Sequence, residues 1–599
     1  MCGIAGIVGA EPDARAPELV RRMLGALGHR GPDDRGVWSD PAGTAVLGTC
    51  RLSILDLSPA GHQPMATPDG SLVVAYNGEV YNYRELRAEL EASGVEFVSG
   101  TDTEVVLKAW ERWGEAALER FNGMFAFFVL DRSSGRGYLV RDRFGIKPCL
   151  YHLASGRLYF ASEAKAFYRL PGEVWEPRED PEALASLLAF QFLDSPGGTV
   201  LENLSRLPPG HFLEYDPSAG TCRLRRYYRL ESEPRAPGDR PSALAAGREL
   251  LESSVNLRLR SDVPVGILLS GGLDSSLVAA LAARGHPGKI KTFTAGFLHR
   301  LDERPYARAV AETIGSEHHE VVLDPGELCR RIEEVIPAFD ALTSLDAGIF
   351  TIWFILEKLK EHRVKVMLVG EGADEVFGGY SWFRLSRPPF SILPLPLRSR
   401  LHHYAVSRMF RGAAASAGRM RAKIEAYRDP DIFRQISRWE IEEQLPSNYL
   451  MKVDHATMAH SVEARVPYLD HRLVEFAFGL PPSWKMSPGS GGEKAFLRAL
   501  AEGLLPPRIA SRPKLGFPLS MAEVLKSNRR KVLDYLLAPD SFAREHYSRE
   551  RIEALADFRP RRYSPLEKEK EFLLWKLFLI EAWRRWLLGF RREASNRDV

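Results

Sequence analysis

Residues 265–285 read VGILLSGGLDSSLVAALAARG: five apolar residues, a turn of Ser, Gly and Asp, then an apolar-rich stretch of helical character. A short apolar run that enters a glycine turn and leaves into a helix is the unit of a parallel sheet, because a uniformly apolar strand must be covered on both faces. The alternation returns in KTFTAGF followed by YARAVAETIG, and in KVMLVG followed by further helical segments. An α/β domain with a parallel sheet covered by helices is therefore expected over residues 244–599. In the turn, glycine admits backbone N–H groups close to an anion, serine hydroxyls add donors, and the helix N-terminus adds positive potential. The turn is not a Walker loop, which needs GxxxxGK followed by Ser or Thr. It is either a phosphate cradle or a strand-to-helix turn that tolerates Gly-Gly.

Upstream the pattern differs. Short alternating segments such as LVVAYNGEVYN, MFAFFVLD, RGYLVRD and RLYFASE, separated by Gly, Asn and Asp, predict β-sheet, with helices over residues 83–92 and 103–113. ESEPRAPGDRPSA (residues 231–243) combines Pro, Gly and charge with almost no apolar residue and marks a linker. The chain of 599 residues, more than one core usually fills, thus divides into 1–212, a connecting segment 213–243, and 244–599. Residues 384–421, Pro-rich and then basic, predict a solvated helical insertion. FLLWKLFLIEAWRRWLLGF (residues 572–590) is interrupted at helical spacing by Lys576, Glu581, Arg584 and Arg585, which predicts a helix docked on the core rather than on a membrane.

Lys plus Arg total 81 against 78 Asp plus Glu, so nothing in the charge calls for a nucleic-acid partner. Five cysteines without a CxxC pair fit a reducing compartment. With no signal-peptide pattern and no membrane span, a cytoplasmic protein with small-molecule substrates is expected.

The N-terminus reads MCGIAGIVG. If Met1 is removed, Cys2 carries both a thiol and an α-amino group whose reference pKa, about 7.7–8.0, lets it serve as base to its own nucleophile. Alone, Cys2 is equally a small buried hydrophobe. Asn77-Gly78 after the strand SLVVA offers an amide and a backbone N–H to an oxyanion; Arg51 offers a fork for a carboxylate; Asp102 offers a partner for an ammonium. Their plainer readings are a turn, a surface ion pair, and a helix cap with Glu104 behind it. Asp274 and Asp374, in turns at the C-terminal edge of the parallel sheet, suit a Mg²⁺ bridging phosphates, with a helix cap as the alternative for Asp374.

With HRGPDD (residues 29–34) and RDRFGIKP (residues 141–148), the N-terminal set resembles the glutaminase domain of the N-terminal-nucleophile amidotransferases over most of residues 1–210. SGGLDSS resembles the PP-loop of ATP pyrophosphatases. VMLVGEGADEVFGGY, DHATMAHSVEARVPYLDH and GEKAFLRALAEGLLPPRIASRPKLGFPLS extend this to a resemblance with glutamine-dependent asparagine synthetases over nearly the entire chain.

The resemblance implies an α+β N-terminal-nucleophile sandwich (αββα) followed by an α/β PP-loop domain. It implies that Cys2 attacks the glutamine amide, that Asn77 and Gly78 stabilise the oxyanion, and that Arg51, Asn77, Glu79 and Asp102 bind glutamine. ATP is expected at Leu268, Ser270, Gly271, Gly272, Asp274, Ser275, Phe297 and Gly370, with Mg²⁺ on Asp274 and Asp374. Asp302 and Glu303 fall at the start of the next helix, as in relatives. Lys494 would stabilise the adenylate-forming transition state, and Glu371 would serve the ammonia step. The implied acceptor is aspartate. DALTSLDAG (residues 340–348) does not closely match the aspartate-specific pattern, which keeps a rival acceptor open, such as a cell-surface sugar or a natural-product precursor. A non-catalytic paralogue would be expected to lose these chemical residues, yet all are present. A homodimer is a family expectation.

Overall fold

The computed structural model describes residues 2–190, 192–193, 197–231, 238–297, 302–345, 348–386, 422, 425–487, 492–513, 521–557 and 565–595. The helical insertion expected over 384–421 lies, from residue 387 on, outside the described residues.

The first part of the chain is two stacked antiparallel sheets with helices outside both. Strands β1 (Gly3–Val8), β2 (Asp34–Ser39), β3 (Ala45–Arg51), β4 (Met65–Ala66), β5 (Leu72–Val80), β6 (Gly123–Asp131), β7 (Arg136–Arg141), β8 (Leu150–Ala154), β9 (Arg157–Ala161), β10 (Ser205–Arg206), β11 (His211–Asp216) and β12 (Thr221–Arg226) pair in the orders β10-β8-β9-β1-β3-β2 and β12-β11-β7-β6-β5-β4. Period-two alternation explains the layering. Val73 and Ala75 pack inward with Ile4, Leu47 and Phe160, while Val74 and Tyr76 of the same strand pack outward with Val105 and Trp110. The outer helices are α1 (Ala16–Leu27) beyond the first sheet, and α2 (Tyr83–Ala92) and α3 (Asp102–Trp113) beyond the second. This is the αββα sandwich.

Residues 213–226, expected as connecting chain, instead form most of β11 and all of β12, with Phe212 opposite Val140 and Leu213 opposite Leu139. Their alternation is masked in the sequence because β12 is an exposed edge carrying Arg223, Arg225 and Arg226, charge that blunts edge-to-edge pairing. The expected linker also ends early. Asp239 accepts a hydrogen bond from Ser242 N and caps a helix over Arg240–Arg258, with Pro241 in its first turn.

The second part is built on a parallel sheet of β13 (Val265–Leu268), β14 (Lys291–Gly296), β15 (Glu317–Val322), β16 (Val366–Leu368) and β17 (Glu463–Arg465), in the order β15-β14-β13-β16-β17. The chain runs outward from β13 to β15 on one side and returns at β16 on the other. The crevice past the C-terminal ends of β13 and β16 is therefore a topological switch point, where open α/β sheets bind ligands. The C-terminal helix Pro565–Ser595 docks as expected: Trp575 and Trp583 are buried and donate to Leu345 O (3.0 Å) and Asp340 O (2.9 Å). No described helix is long and apolar enough to cross a membrane.

Candidate active sites

Cys2 stands just before β1 in the middle of its sheet, and Asn77 lies on the inward face of β5, which stacks against it. The Cys2 backbone N–H donates to Asn77 Oδ1 (3.0 Å). Asn77 is fully buried, and its Nδ2 has no partner among the described residues, leaving an oriented donor beside the thiol. Burial pushes the Cys2 thiol above its ordinary pKa, against the N-terminal charge, a backbone hydrogen bond from Leu52 and the charge of Arg51, so the nucleophile needs a base.

The cavity beside Cys2 is lined by Arg51, Gly78, Glu79 and Asp102. Arg51 is aimed by three carbonyls that its guanidinium caps: Leu55 O (3.1 Å), Asp56 O (2.6 Å) and Ser58 O (3.3 Å). Gly61 is required there, since a Cβ would sit 2.0 Å from Arg51 Nη2. Asp102 is not the cap of α3. Thr101 is, accepting from Glu104 N (3.2 Å), which leaves the Asp102 carboxylate to turn inward and accept from Tyr76 Oη (2.6 Å) and Val80 N (2.9 Å). Burial raises its pKa to about 6 despite those two donors.

Sequence reading misses Gln63, which also lines this cavity. It accepts from Tyr76 N (2.9 Å) and donates to Thr103 Oγ1 (3.1 Å), fixing β5 against α3. It also misses Arg30, whose Nε holds Cys2 O (3.1 Å).

At the switch point a cavity of about 670 Å³ is lined by Leu268, Ser270, Gly272, Asp274, Ser275, Gly370, Glu371, Asp374 and Lys494. The two glycine turns abut: a Cβ on Gly370 would lie 3.2 Å from Ser275 N. Ser275 Oγ and Ser270 Oγ are 3.0 Å apart, and Ser275 Oγ accepts from Ser270 N (3.1 Å). Gly271 does not line the cavity. It turns at φ +69° beneath the loop, where a Cβ would strike Ala307 N at 2.5 Å, and its carbonyl is held by Arg512 (3.0 Å), which also grips Glu303 (3.0 Å). Asp302 accepts from Arg304 instead. Phe297, expected against ATP, lies just past the end of β14 and is buried in the core, and the cavity wall there is Phe293, Thr294 and Ala295.

Lys494 sits in the left-handed region, φ +56°, at the start of the helix Ala495–Leu500. This is a conformation that a non-glycine residue keeps only when its surroundings impose it. Its Nζ lies 2.5 Å from Asp274 Oδ2 and 2.6 Å from Asp374 Oδ1. Burial works to lower the lysine pKa, and the two carboxylates reverse the sign and raise it. Asp374 is not a cap; Gly372 precedes its helix, Ala373–Phe377. Asp274 and Asp374 on the wall of this cavity would suit a hard cation such as Mg²⁺, which takes oxygen ligands. No group of three or more His, Cys, Asp or Glu placed to hold a metal ion occurs among the described residues.

Further round the wall, burial raises the pKa of Glu371, opposed chiefly by Lys452. Tyr449, the last residue of a π-helical stretch, Glu440–Tyr449, that contains Pro446, and Lys452, in the first turn of the α-helix Leu450–Met458 that follows it, both line the cavity. No periodicity in the sequence signals that geometry.

Residues 1–228 match a glutamine amidotransferase domain and residues 246–585 the asparagine synthase family. Glutamine-hydrolysing asparagine synthetase 1 of Bacillus subtilis is 34% identical over 571 residues, 88% of each chain. A putative glutamine-hydrolysing asparagine synthetase of Mycobacterium tuberculosis is 33% identical over 592 residues, 88% of this chain and 89% of its own. Amidase chry2 of Gibberella zeae is 29% identical over 570 residues, 81% of this chain and 83% of its own.

Proposed function

Because the chain belongs to the glutamine-hydrolysing asparagine synthetase family, an ATP-dependent amidotransferase ligase family, we propose that it converts aspartate to asparagine with ammonia drawn from glutamine. Arg51 takes the glutamine carboxylate, and Asp102 with Glu79 takes its ammonium. With Met1 removed, the Cys2 α-amine accepts the thiol proton as sulfur attacks the side-chain amide. Asn77 Nδ2 and the Gly78 N–H then meet the oxyanion. Ammonia departs, and water hydrolyses the thioester to glutamate.

At the switch point the SGGLDSS and GEGADE turns hold ATP. The acceptor carboxylate attacks the α-phosphorus, pyrophosphate leaves, and Lys494 balances the charge gathering on the transferring group. Ammonia attacks the acyl-adenylate, Glu371 takes the surplus proton, and AMP departs. Asp274 and Asp374 would hold Mg²⁺, which when bound neutralises phosphate charge. We place the protein in the cytoplasm, where a reducing pool keeps Cys2 free; all five cysteines are unbridged.

The observation that carries this reading is the Lys494 ammonium held between Asp274 and Asp374 on the wall of the cavity. Aspartate itself rests on the relatives' names. The experiment is pyrophosphate release with ATP, Mg²⁺ and glutamine, with and without aspartate, and mass spectrometry of the product. Aspartate-dependent pyrophosphate together with asparagine supports the reading. Glutamate release without aspartate-dependent pyrophosphate removes aspartate and favours another carboxylate, a reading to which the DALTSLDAG segment and a cavity wall of Ile352, Ile355 and Phe572 lend weight.

The pKa of Asp102, raised to about 6, sets a pH dependence. The carboxylate that anchors the glutamine ammonium is charged above that value and neutralises as pH falls through it. The KM for glutamine is therefore expected to rise about tenfold between pH 7.5 and pH 5, measured as glutamate release. A flat profile across that range would remove Asp102 from ammonium binding.

A further inference from the structure

We propose that Arg465, a residue of the parallel sheet, completes the glutamine pocket by positioning Glu79, so that the glutamine site is assembled from both parts of the chain. This rests on the reading of the cavity at Cys2 as the glutamine site.

Arg465 ends β17. Its main chain belongs to the ladder that sets the second ATP-side turn: Leu368 is its register partner, and its carbonyl accepts from Val369 N (3.0 Å), the residue before Gly370-Glu371. Its side chain, fully buried, leaves toward the other part of the molecule. Nη1 donates to Arg258 O (2.8 Å) and Arg260 O (2.6 Å), and Nε donates to Glu463 Oε1 (2.6 Å), which fixes the plane of the guanidinium. The remaining nitrogen, Nη2, lies 3.2 Å from Glu79 Oε2. The cation also stands 5.5 Å from the centroid of the Tyr81 ring, on the chain just past β5.

Glu79 is the reason such a partner is needed. It is 2% exposed, it lines the cavity beside Cys2, and it lies on β5 two residues past Asn77. Its Oε1 has no hydrogen-bond partner among the described residues, and neither has Arg465 Nη2, so Oε2 is held from behind by charge at ion-pair distance rather than by a hydrogen bond, and Oε1 is left for a ligand. Burial drives its carboxyl well above its ordinary pKa, and the charge of Arg465 is the largest influence in the opposite direction. An anionic carboxylate in that position, able to take an ammonium, therefore depends on a cation supplied across the interface. Arg51, by contrast, is held wholly by residues 55–58 of its own part. The two ends of the bound amino acid are thus supported from different parts of the chain.

The test uses the full-length protein and two readouts: the KM for glutamine in glutamate release, and the Kd for a non-hydrolysable ATP analogue. Arg465→Gln is expected to raise the KM for glutamine at least about tenfold, as loss of a charge-assisted pair would. Arg465→Lys, which keeps the charge, is expected to recover part of it, and the ATP analogue is expected to bind within about twofold of wild type in both. Should Arg465→Gln fail to fold, Arg465→Lys carries the test alone: it keeps the charge but loses the planar grip on Glu463 and the two carbonyls, and is expected to raise the KM for glutamine in the same direction by a smaller factor. Parallel loss of glutamine and nucleotide binding, or an unchanged KM for glutamine in folded variants, overturns the proposal. Wild-type protein that releases no glutamate from glutamine would instead overturn the underlying reading of the site.

Discussion

Cys2→Ala is expected to lower glutamine-dependent product formation by about 10⁴-fold, the scale of removing a catalytic nucleophile, while ammonium salts in place of glutamine sustain synthesis within about twofold of wild type. The asymmetry follows from the geometry. The Cys2 thiol is a nucleophile able to form an acyl intermediate, its main chain is bonded to Asn77, and alanine fits the same buried space. The SGGLDSS turn, the GEGADE turn and Lys494 lie at the other cavity and make no contact with the thiol. Both rates are read as pyrophosphate release under the same ATP and Mg²⁺. Glutamate production that survives the substitution would move the nucleophile elsewhere, and a matching loss of the ammonia-driven rate would make Cys2 a structural residue.

The parts of the fold legible in the sequence are those where local chemistry and tertiary placement agree. The apolar strand before SGGLDSS has to be central in its sheet, and β13 is. SLVVA alternates, and β5 carries one face inward and the other onto α3. The helices at 83–92 and 103–113 are legible because their apolar spacing survives without help from distant residues. What stays hidden depends on partners far along the chain. RLRRYYR reads as connection because its pairing faces are covered by arginines, though it closes the second sheet. Phe297 is expected against ATP from the resemblance, as the last residue of the TFTAGF strand, whereas the strand ends one residue earlier and the side chain is buried in the core. Asp102 reads equally well as a cap until Thr101 takes that position. Gln63 carries no local signature, and Arg30 and Arg465 stand inside the HRGPDD and DHATMAHSVEARVPYLDH stretches without their roles being legible there, because each acts only through a residue brought to it by the fold. The catalytic types are thus readable from motifs, and the residues that aim them are not.

Lys494→Ala is expected to abolish adenylation, with pyrophosphate release down by about 10³-fold or more, comparable to loss of a charge positioned for the transition state, and to leave glutamate release from glutamine intact. The ammonium does two jobs. Before chemistry it separates Asp274 from Asp374, whose carboxylates stand 2.5 and 2.6 Å from it. Removing it leaves two like charges facing each other in a buried wall, which disfavours the polyphosphate that must enter beside them. During transfer its charge, on the wall of the same cavity as the two turns, is placed to offset the negative charge gathering on the transferring group. Lys494→Arg is not expected to rescue the rate. The residue is held in a left-handed conformation, and its Cε approaches the Gly379 backbone so closely that a Cβ there would lie 2.3 Å away, so a planar guanidinium has no room to reach both carboxylates. Glutamate release and pyrophosphate release measured on the same variant separate the two cavities. If both fall together, Lys494 supports the fold. If only pyrophosphate falls, the charge triad at the switch point is the adenylating centre, and the two halves of the reaction are divided between Cys2 and Lys494.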